Sequence, residues 1–501
     1  MKLLLCVLLT SSVAVSHTMW VRVHYSNEVE REYLINVYHD ILTGNVAESY
    51  FEYFLNTEEV EALTHAGFAV DILHADIVSY LEETYGHLRM DFGYHYTYAE
   101  MVQELDDIVA AYPAITYKIS LGQSWQGREI WALKVSDNAS VNEDEPKVLI
   151  TGIHHAREPI SCGICMDFIN WLVGNYGTND TATAIVDHDE VWMVPVVNPD
   201  GYVFNETYED PWGSGWRKNC RDNNNNGTMD PDYDGVDLNR NYGYQWGYDN
   251  QGSSADPADE TYRGPSAFSE PELQVMREFC DTCEFAYALN YHSYGNYLIV
   301  PWGYINGETP DSLIYRIMAD SMTSHIGVPN NYAWGTCYQT VGYPANGTSD
   351  DWLYGEQAEK PKCFAFTGEV GESFWQGATD SSEIVVHCNE TRPMNIYLCM
   401  RALYINVDEI EQRTVTKLHV APNPVSTHLC LNLQTSLLGF VKVALYDVAG
   451  CPVYTERFTT SSITGNRVLI DISMVPAGVY FLSISDQTGA IAQEKIVVLQ
   501  R

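Results

Sequence analysis

The sequence predicts an α/β fold: a mixed, mostly parallel central sheet with helices on both faces, preceded by a small α+β module and followed by a small all-β sandwich. Three observations predict it. From about residue 92 to 410, apolar runs of strand length alternate with stretches of helical periodicity, as in strands joined by helical crossovers. Before residue 90, shorter alternating runs flank one capped helix. After about residue 420, short alternating strands separated by turn residues run to the end, as in a β-sandwich.

The balance of charge narrows the function. With 27 Lys and Arg against 67 Asp and Glu, the formal net charge is −40. Phosphate backbones and anionic lipid would repel such a chain, which argues against a nucleic-acid partner, whereas basic peptides would be drawn to it. The 35 tyrosines and 12 tryptophans suit an aromatic-lined peptide cleft.

Residues 1–16 read as a secretory signal peptide. Lys2 opens a short basic start, the apolar run to Leu9 is too brief to span a bilayer, and Ala14-Val15-Ser16 offers a small-residue cleavage site. No other stretch approaches a membrane span. The expected product is soluble and exported, extracellular or attached at the cell surface. Twelve cysteines are compatible with disulfides in an oxidising compartment. Cys162-Gly-Ile-Cys165 and Cys280-Asp-Thr-Cys283 read either as a four-thiolate zinc site or as core residues and disulfide halves.

In residues 17–90, Met19 to Tyr25 alternates like a strand, Thr57 to Gly67 reads as a capped helix closed by glycine, and Phe68 to Leu73 reads as another strand. The main domain, 92–410, follows. Tyr98 to Tyr112 has helical periodicity, and apolar runs surround Ile130 and span Val148 to Ile153. A helix is expected from about Ile160 to Asn175, then the run Val191 to Val197. Gly201 to Arg263, rich in Asn, Asp, Gly and Tyr, is a long irregular segment, and loops of that length in compact domains are usually functional. A helix from about Glu270 to Cys283 and a strand from Phe285 to Tyr291 lead into further alternation. Residues 411–419 read as a linker, and 420–501 as the sandwich.

The chemistry gathers at strand ends. Lys147-Val-Leu-Ile-Thr-Gly-Ile-His-His-Ala-Arg-Glu-Pro159 is an apolar run that stops at Gly152 and a polar cluster, where ligands collect in open α/β sheets. His155 and Glu158, three apart on a tight turn, can face one point, and catalytic zinc often takes two histidines and one Glu. Tyr291-His292-Ser-Tyr294 places a second histidine in the same context. Phe364-Ala-Phe-Thr-Gly-Glu369 ends a further run in a carboxylate. Asp237-Leu-Asn239-Arg240 sets a guanidinium beside an amide, a receptor for a carboxylate, and Trp216-Arg217-Lys218 adds cations in the same loop. His387-Cys-Asn-Glu390 repeats the ligand spacing without a comparable context. Arg221 to Asp230 begins like a calcium loop but carries Tyr233 where the late Glu belongs, so it reads as a Ca2+ site or as a polar surface loop.

Together these motifs resemble the zinc carboxypeptidases of the pancreatic carboxypeptidase A/B type and their bacterial relatives, over roughly residues 92–410. His-Ala-Arg-Glu, Trp-Arg-Lys, Val-Asp-Leu-Asn-Arg-Asn, Glu-Thr-Tyr-Arg-Gly-Pro-Ser-Ala-Phe-Ser-Glu-Pro-Glu, Tyr-His-Ser-Tyr and Thr-Gly-Glu occur in the family's order. The resemblance implies one Zn2+ held by His155, Glu158 and His292, with Glu369 as general base. It implies that Arg217 polarises the scissile carbonyl, that Asn239 and Arg240 grip the C-terminal carboxylate, and that Arg157 also binds substrate. Asp237 would orient a zinc histidine, and Tyr343, rather than Tyr338, would close over the substrate. Asp350 falls where basic-specific members keep an Asp at the pocket floor. A preference for Lys or Arg and a broad specificity both stay open, because Asp350 and Asp351 also suit a turn or helix cap.

The same resemblance makes residues 17–90 a propeptide covering the cleft. The tail resembles the sorting domain of Por-type (type IX) secretion, through Ala421-Pro-Asn-Pro-Val425, Tyr446-Asp-Val-Ala-Gly450, Val475-Pro-Ala-Gly-Val-Tyr-Phe481 and Lys495-Ile-Val-Val-Leu499. Its implied partner is the outer-membrane secretion machinery. The function expected is hydrolysis of C-terminal peptide bonds. The rivals are a zinc peptidase acting on cell-wall peptides and an inactive surface binding protein.

Overall fold

The computed structural model describes residues 18–38, 41–75, 92–208, 215–324, 326, 332–378 and 380–402, and in the C-terminal region 419–421, 425, 427–432, 440–446, 452–459, 467–476, 478–486 and 489–498. The expected signal peptide, most of the expected linker and parts of the sorting-domain motifs lie outside the described residues. The chain divides into two units, 1–400 and 401–501.

The first unit opens with an antiparallel sheet of order β2-β3-β1-β4, from β1 (Thr18–His24), β2 (Ile41–Asn45), β3 (Tyr50–Asn56) and β4 (Ala69–His74). The helix Thr57–Ala66 begins on a capping box between Asn56 and Glu59 and stops at Gly67, which takes the left-handed conformation. Val21, Val23, Leu34, Phe51 and Leu63 are among its core residues.

The central sheet has eight strands in the order β11-β10-β12-β9-β7-β8-β6-β5. They are β5 (Thr116–Gln123), β6 (Glu129–Val135), β7 (Lys147–Thr151), β8 (Glu190–Val194), β9 (Tyr287–His292), β10 (Tyr297–Ile299), β11 (Ala333–Gly335) and β12 (Phe364–Glu369). The four inner strands β12, β9, β7 and β8 run parallel, while β6 and β10 join them antiparallel. Inner strands covered on both sides read as nearly continuous apolar runs, and β7, β8 and β9 do.

Helices lie on both faces. Leu149, Trp192, Ala288 and Ala365 share one cluster with Leu273, Met276 and Phe279 of the helix Pro271–Cys283 and with Trp352 of the helix Ser349–Gly355. On the other face, the Tyr291 hydroxyl donates to Asn395 Oδ1 at 2.7 Å in the helix Ser381–Ala402. The region 201–263 holds little regular structure among its described residues: a short helix, Pro199–Asn205, and one 3-10 turn, Leu238–Arg240.

The second unit is all-β: β13 (His419–Ala421), β14 (His428–Asn432) and β17 (Arg467–Asp471) form one sheet, and β15 (Phe440–Tyr446), β16 (Pro452–Thr459), β18 (Gly478–Asp486) and β19 (Gly489–Val498) another. His419, the last residue expected in the linker, already belongs to β13. Leu429, Val443, Ile470, Leu482 and Ile496 close the core between the two sheets. The nine cysteines whose side chains are described all carry free thiols, and Cys162, Cys165 and Cys280 are buried. They act as small core residues, and no group of them gathers as metal ligands among the described residues.

Candidate active site

The site is built at the carboxyl ends of β7, β9 and β12. After Thr151 the chain passes Gly152, where a Cβ would meet the carbonyl oxygens of Pro195 and Ser161 at 2.8 Å, so the turn needs glycine. Ile153 follows with φ of 48°, a strained value for a β-branched residue, and this turns the next side chains inward. Ser161 pins the turn: its Oγ donates to the Glu158 carbonyl at 2.7 Å and accepts from the Ile153 N–H at 2.9 Å.

The turn brings three donors to one point. His155 Nδ1 lies 2.8 Å from Glu158 Oε1, His292 Nδ1 lies 2.9 Å from Glu158 Oε2, and the two ring nitrogens are 3.0 Å apart. All three side chains are buried, and their ligand atoms lie within 4.8 Å of one another. Two ring nitrogens so close cannot both carry protons, so at least one aims a lone pair at the shared point beside an anionic carboxylate. Two imidazoles and one carboxylate suit Zn2+. Burial opposes charge on Glu158, yet the two histidines hold its carboxyl well below the usual range.

The surroundings orient the donors. Asp237 Oδ1 lies 3.2 Å from His155 Nε2, which leaves Nδ1 to face the metal point. Its other oxygen accepts Arg217 Nε and Nη2 at 3.0 and 2.8 Å. Burial opposes ionisation of Asp237, but Arg217 and His155 keep it charged. Asn205 fixes the Arg217 segment by bonding both the N–H and the C=O of Trp216. Lys218 does not face the cavity; buried, its amine is pushed down to about 8 and donates to the carbonyls of Pro257 and Asp259.

A cavity of 360 Å³ opens on this point, lined by His155, Glu158, Arg217, Asn239, Arg240, Tyr343, Asp350 and Glu369 among others. Arg240 is buried, donates through Nη1 to the Asn239 carbonyl at 2.9 Å, and leaves Nε without a hydrogen-bond partner. Asn239 Oδ1 accepts the Ser349 N–H at 2.9 Å. Burial and the nearby Glu158 push the Glu369 carboxyl well above its ordinary value, against the pull of Arg217 and Arg240.

The paired aspartates divide. Asp351 accepts the N–H groups of Gly303 and Tyr304 at 2.9 and 3.2 Å, whereas Asp350 lines the cavity and accepts the Asp351 N–H at 3.0 Å. Asp350 is 3% exposed and forms no ion pair among the described residues, and burial raises its pKa.

Arg157 is placed differently from a waiting substrate clamp. Its fork is held by Glu260 at 3.0 and 2.9 Å, and its plane lies 4.2 Å from the Phe374 ring centre. Glu260 and Phe374 carried no assigned role in the sequence, although Glu260 belongs to the Glu-Thr-Tyr-Arg-Gly motif. Two other polar stretches lie outside the cavity lining. His387 and Glu390 sit on the helix Ser381–Ala402, 3.5 Å apart. In the Arg221–Asp230 loop, the Asp222 carboxylate accepts the N–H groups of Asn226 and Gly227, and no carboxylate there joins a three-ligand group among the described residues.

The N-terminal module reaches the same cavity. Ile35 and Ile41 line it. The module grips the segment leading to Tyr343: Arg31 lies over the Tyr338 ring, Val46 N–H donates to the Thr340 carbonyl at 3.1 Å, and the Phe51 and Tyr343 ring centres are 6.2 Å apart. The Tyr297 hydroxyl donates to the Gly44 carbonyl at 2.9 Å. Nothing in the sequence pointed to these individual contacts.

Comparison with known proteins agrees with this geometry. Residues 101–392, more than half of the chain, match the zinc carboxypeptidase family, and residues 419–499 match the secretion system C-terminal sorting domain. A zinc carboxypeptidase of Saccharothrix mutabilis subsp. capreolus is 34% identical over 290 residues, covering 56% of this chain and 62% of the relative. Carboxypeptidase A2 of Mus musculus is 30% identical over 272 residues, covering 53% and 61%. The chain thus spans about three fifths of the length of these relatives. The solved carboxypeptidase A of Helicoverpa armigera shares the fold, with a TM-score of 0.62 at 22% identity over 77% of this chain and 98% of that one. Among the described residues no helix is long and apolar enough to cross a membrane. By its catalytic-domain match, the chain belongs to the zinc carboxypeptidase family.

Proposed function

We propose that the chain is an exported, latent carboxypeptidase that removes the last residue of peptides and proteins, with preference for Lys or Arg. The observation that carries this reading is the convergence on one cavity of His155, Glu158 and His292 with Glu369, Arg240 and Asp350.

Zinc held by His155, Glu158 and His292 would supply Lewis acidity and lower the pKa of a water. Glu369, at the cavity wall, takes the proton of the attacking water and later gives it to the leaving amine. A carboxyl raised by its surroundings holds a proton more readily, which suits its passage to the leaving amine. Arg217 donates to the oxygen that gains charge, held in place by Asp237. Arg240 Nε and Asn239 receive the substrate carboxylate, which only a chain end offers, and Tyr343 closes over it. Asp350, which forms no ion pair among the described residues, would pair a basic side chain. Arg157 can hold substrate only by exchanging its bonds to Glu260.

The domain reading is a propeptide (17–90) after a signal peptide (1–16), and a tail (420–501) that addresses the chain to the outer-membrane secretion machinery, with the product extracellular or surface-attached. The test is hydrolysis of peptide pairs ending in Lys or Leu, with and without a zinc chelator, on protein freed of residues 17–90. Chelator-sensitive release favouring Lys is expected. Equal release would discard the Asp350 preference, and no release would favour cell-wall peptides or an inactive binder.

A further inference from the structure

His154 precedes the first metal-binding histidine and has no part in the site as built so far. It is fully buried, and its ring lies nearly parallel to that of His292, with 5.4 Å between centres and 23° between planes. Its Nε2 shares a hydrogen bond of 2.9 Å with the Tyr242 hydroxyl. Its carbonyl accepts from Asn198 Nδ2 at 3.2 Å, which also holds the Lys218 carbonyl beside Arg217.

Tyr242 is an unexpected choice of residue. It sits in an apolar cluster with Phe268, Trp352 and Leu273, where phenylalanine would pack as well. A hydroxyl buried there is destabilising unless it is bonded. His154 bonds that hydroxyl. Tyr242 also stands two residues after Arg240, and its N–H donates to the Gly347 carbonyl at 3.0 Å, in the segment that carries Asp350. Gly347 passes so close to this segment that a Cβ would meet the Arg240 carbonyl oxygen at 2.4 Å.

We propose that His154 is a positioning residue: its ring face buttresses His292, and its bond to Tyr242 ties the metal-binding turn to the segment that receives the substrate carboxylate. Two distances that the reaction needs constant are thereby set by one buried side chain. The first runs between the metal donors, and the second from the metal point to Asn239 and Arg240. The inference rests on the zinc reading above and concerns how firmly the metal is held.

The test follows zinc release from the full chain to a chromophoric chelator, alongside melting temperature. His154→Leu removes both ring and bond, and release should be faster by about 10–100-fold, the range for residues that support metal ligands. His154→Phe keeps a ring against His292 and should recover most of that loss. Tyr242→Phe should speed release less than His154→Leu, and combining it with His154→Phe should add little, since the bond is already absent. Release from His154→Leu at the parent rate would overturn the proposal. So would equally fast release from the Leu and Phe variants with matching losses of melting temperature, the mark of generic packing. A parent chain that retains no zinc would instead sink the metal reading itself.

Discussion

Glu369 stands directly opposite His292 in the parallel ladder between β12 and β9. Paired residues on adjacent strands direct their side chains to the same face, so backbone register fixes the carboxylate beside the metal donors. Glu369→Gln keeps shape and removes the base. Turnover should fall by about 10²–10⁴-fold, the usual worth of a positioned general base. Bound zinc, measured by elemental analysis, should stay at the parent level. Full activity in this variant would remove Glu369 from the mechanism.

Asp350 has no cation to lose among the described residues, so its replacement should be tolerated by the fold and felt by the substrate. Asp350→Leu should cut kcat/KM for Lys-ended peptides by about 30-fold or more, corresponding to about 2 kcal/mol for one partner of a buried charge pair. Release of C-terminal Leu should rise or stay level. If both substrates fell together, Asp350 would be supporting the loop rather than reading the side chain.

Gly44 meets the catalytic domain so closely that a Cβ would lie 1.9 Å from the Val341 carbonyl oxygen. Any side chain there must push the module off the segment leading to Tyr343. Gly44→Val should therefore raise the peptidase activity of the uncleaved chain while leaving the rate of module-free protein unchanged. Equal latency in parent and variant would argue against a propeptide acting through this contact.

Two buried groups give opposite slopes of stability with pH. His95 is lowered from 6.5 to about 4 by burial, partly offset by the Gln376 carbonyl it contacts. Its contribution is present above pH 6.5 and is lost as pH falls towards 4, by up to about 1.4 kcal/mol per pH unit. Glu272 is raised from 4.5 to about 8 by burial and by the charge of Glu270. Its contribution is present below pH 4.5 and is lost as pH rises through 8. Glu272→Gln should flatten the alkaline limb of the stability curve and leave the acid limb, and His95→Gln should do the reverse. Denaturant melts across that range would show it.

The parts of the site that could be read from the sequence share one property: each is a short polar cluster following an apolar run, as at His155, His292 and Glu369. Strand ends are local, so the pattern survives without knowledge of tertiary contacts. The helix Ile160–Asn175 and the capped helix ending at Gly67 were readable for the same reason. What the sequence hid depends on long-range approach. The grip of Glu260 on Arg157 joins residues 103 positions apart, with helices and a strand between them, and no periodicity encodes it. β11, β16 and the short β10 escaped because three-residue strands and strands rich in charge carry little alternation. Only the family resemblance singled out Asp350 over Asp351; the residues alone suited a turn or helix cap equally until the backbone of Gly303 and Tyr304 claimed Asp351.

The way the N-terminal module meets the cavity bears on the order of maturation. It enters with Ile35 and Ile41, hydrocarbon side chains that offer no lone pair. A plug of that kind occupies space without competing for the ion, so acquisition of zinc need not await removal of the module. If the module serves as the propeptide proposed above, the chain can take its metal while the cavity is still covered, and a single proteolytic cut would then suffice to open a site already furnished with its ion.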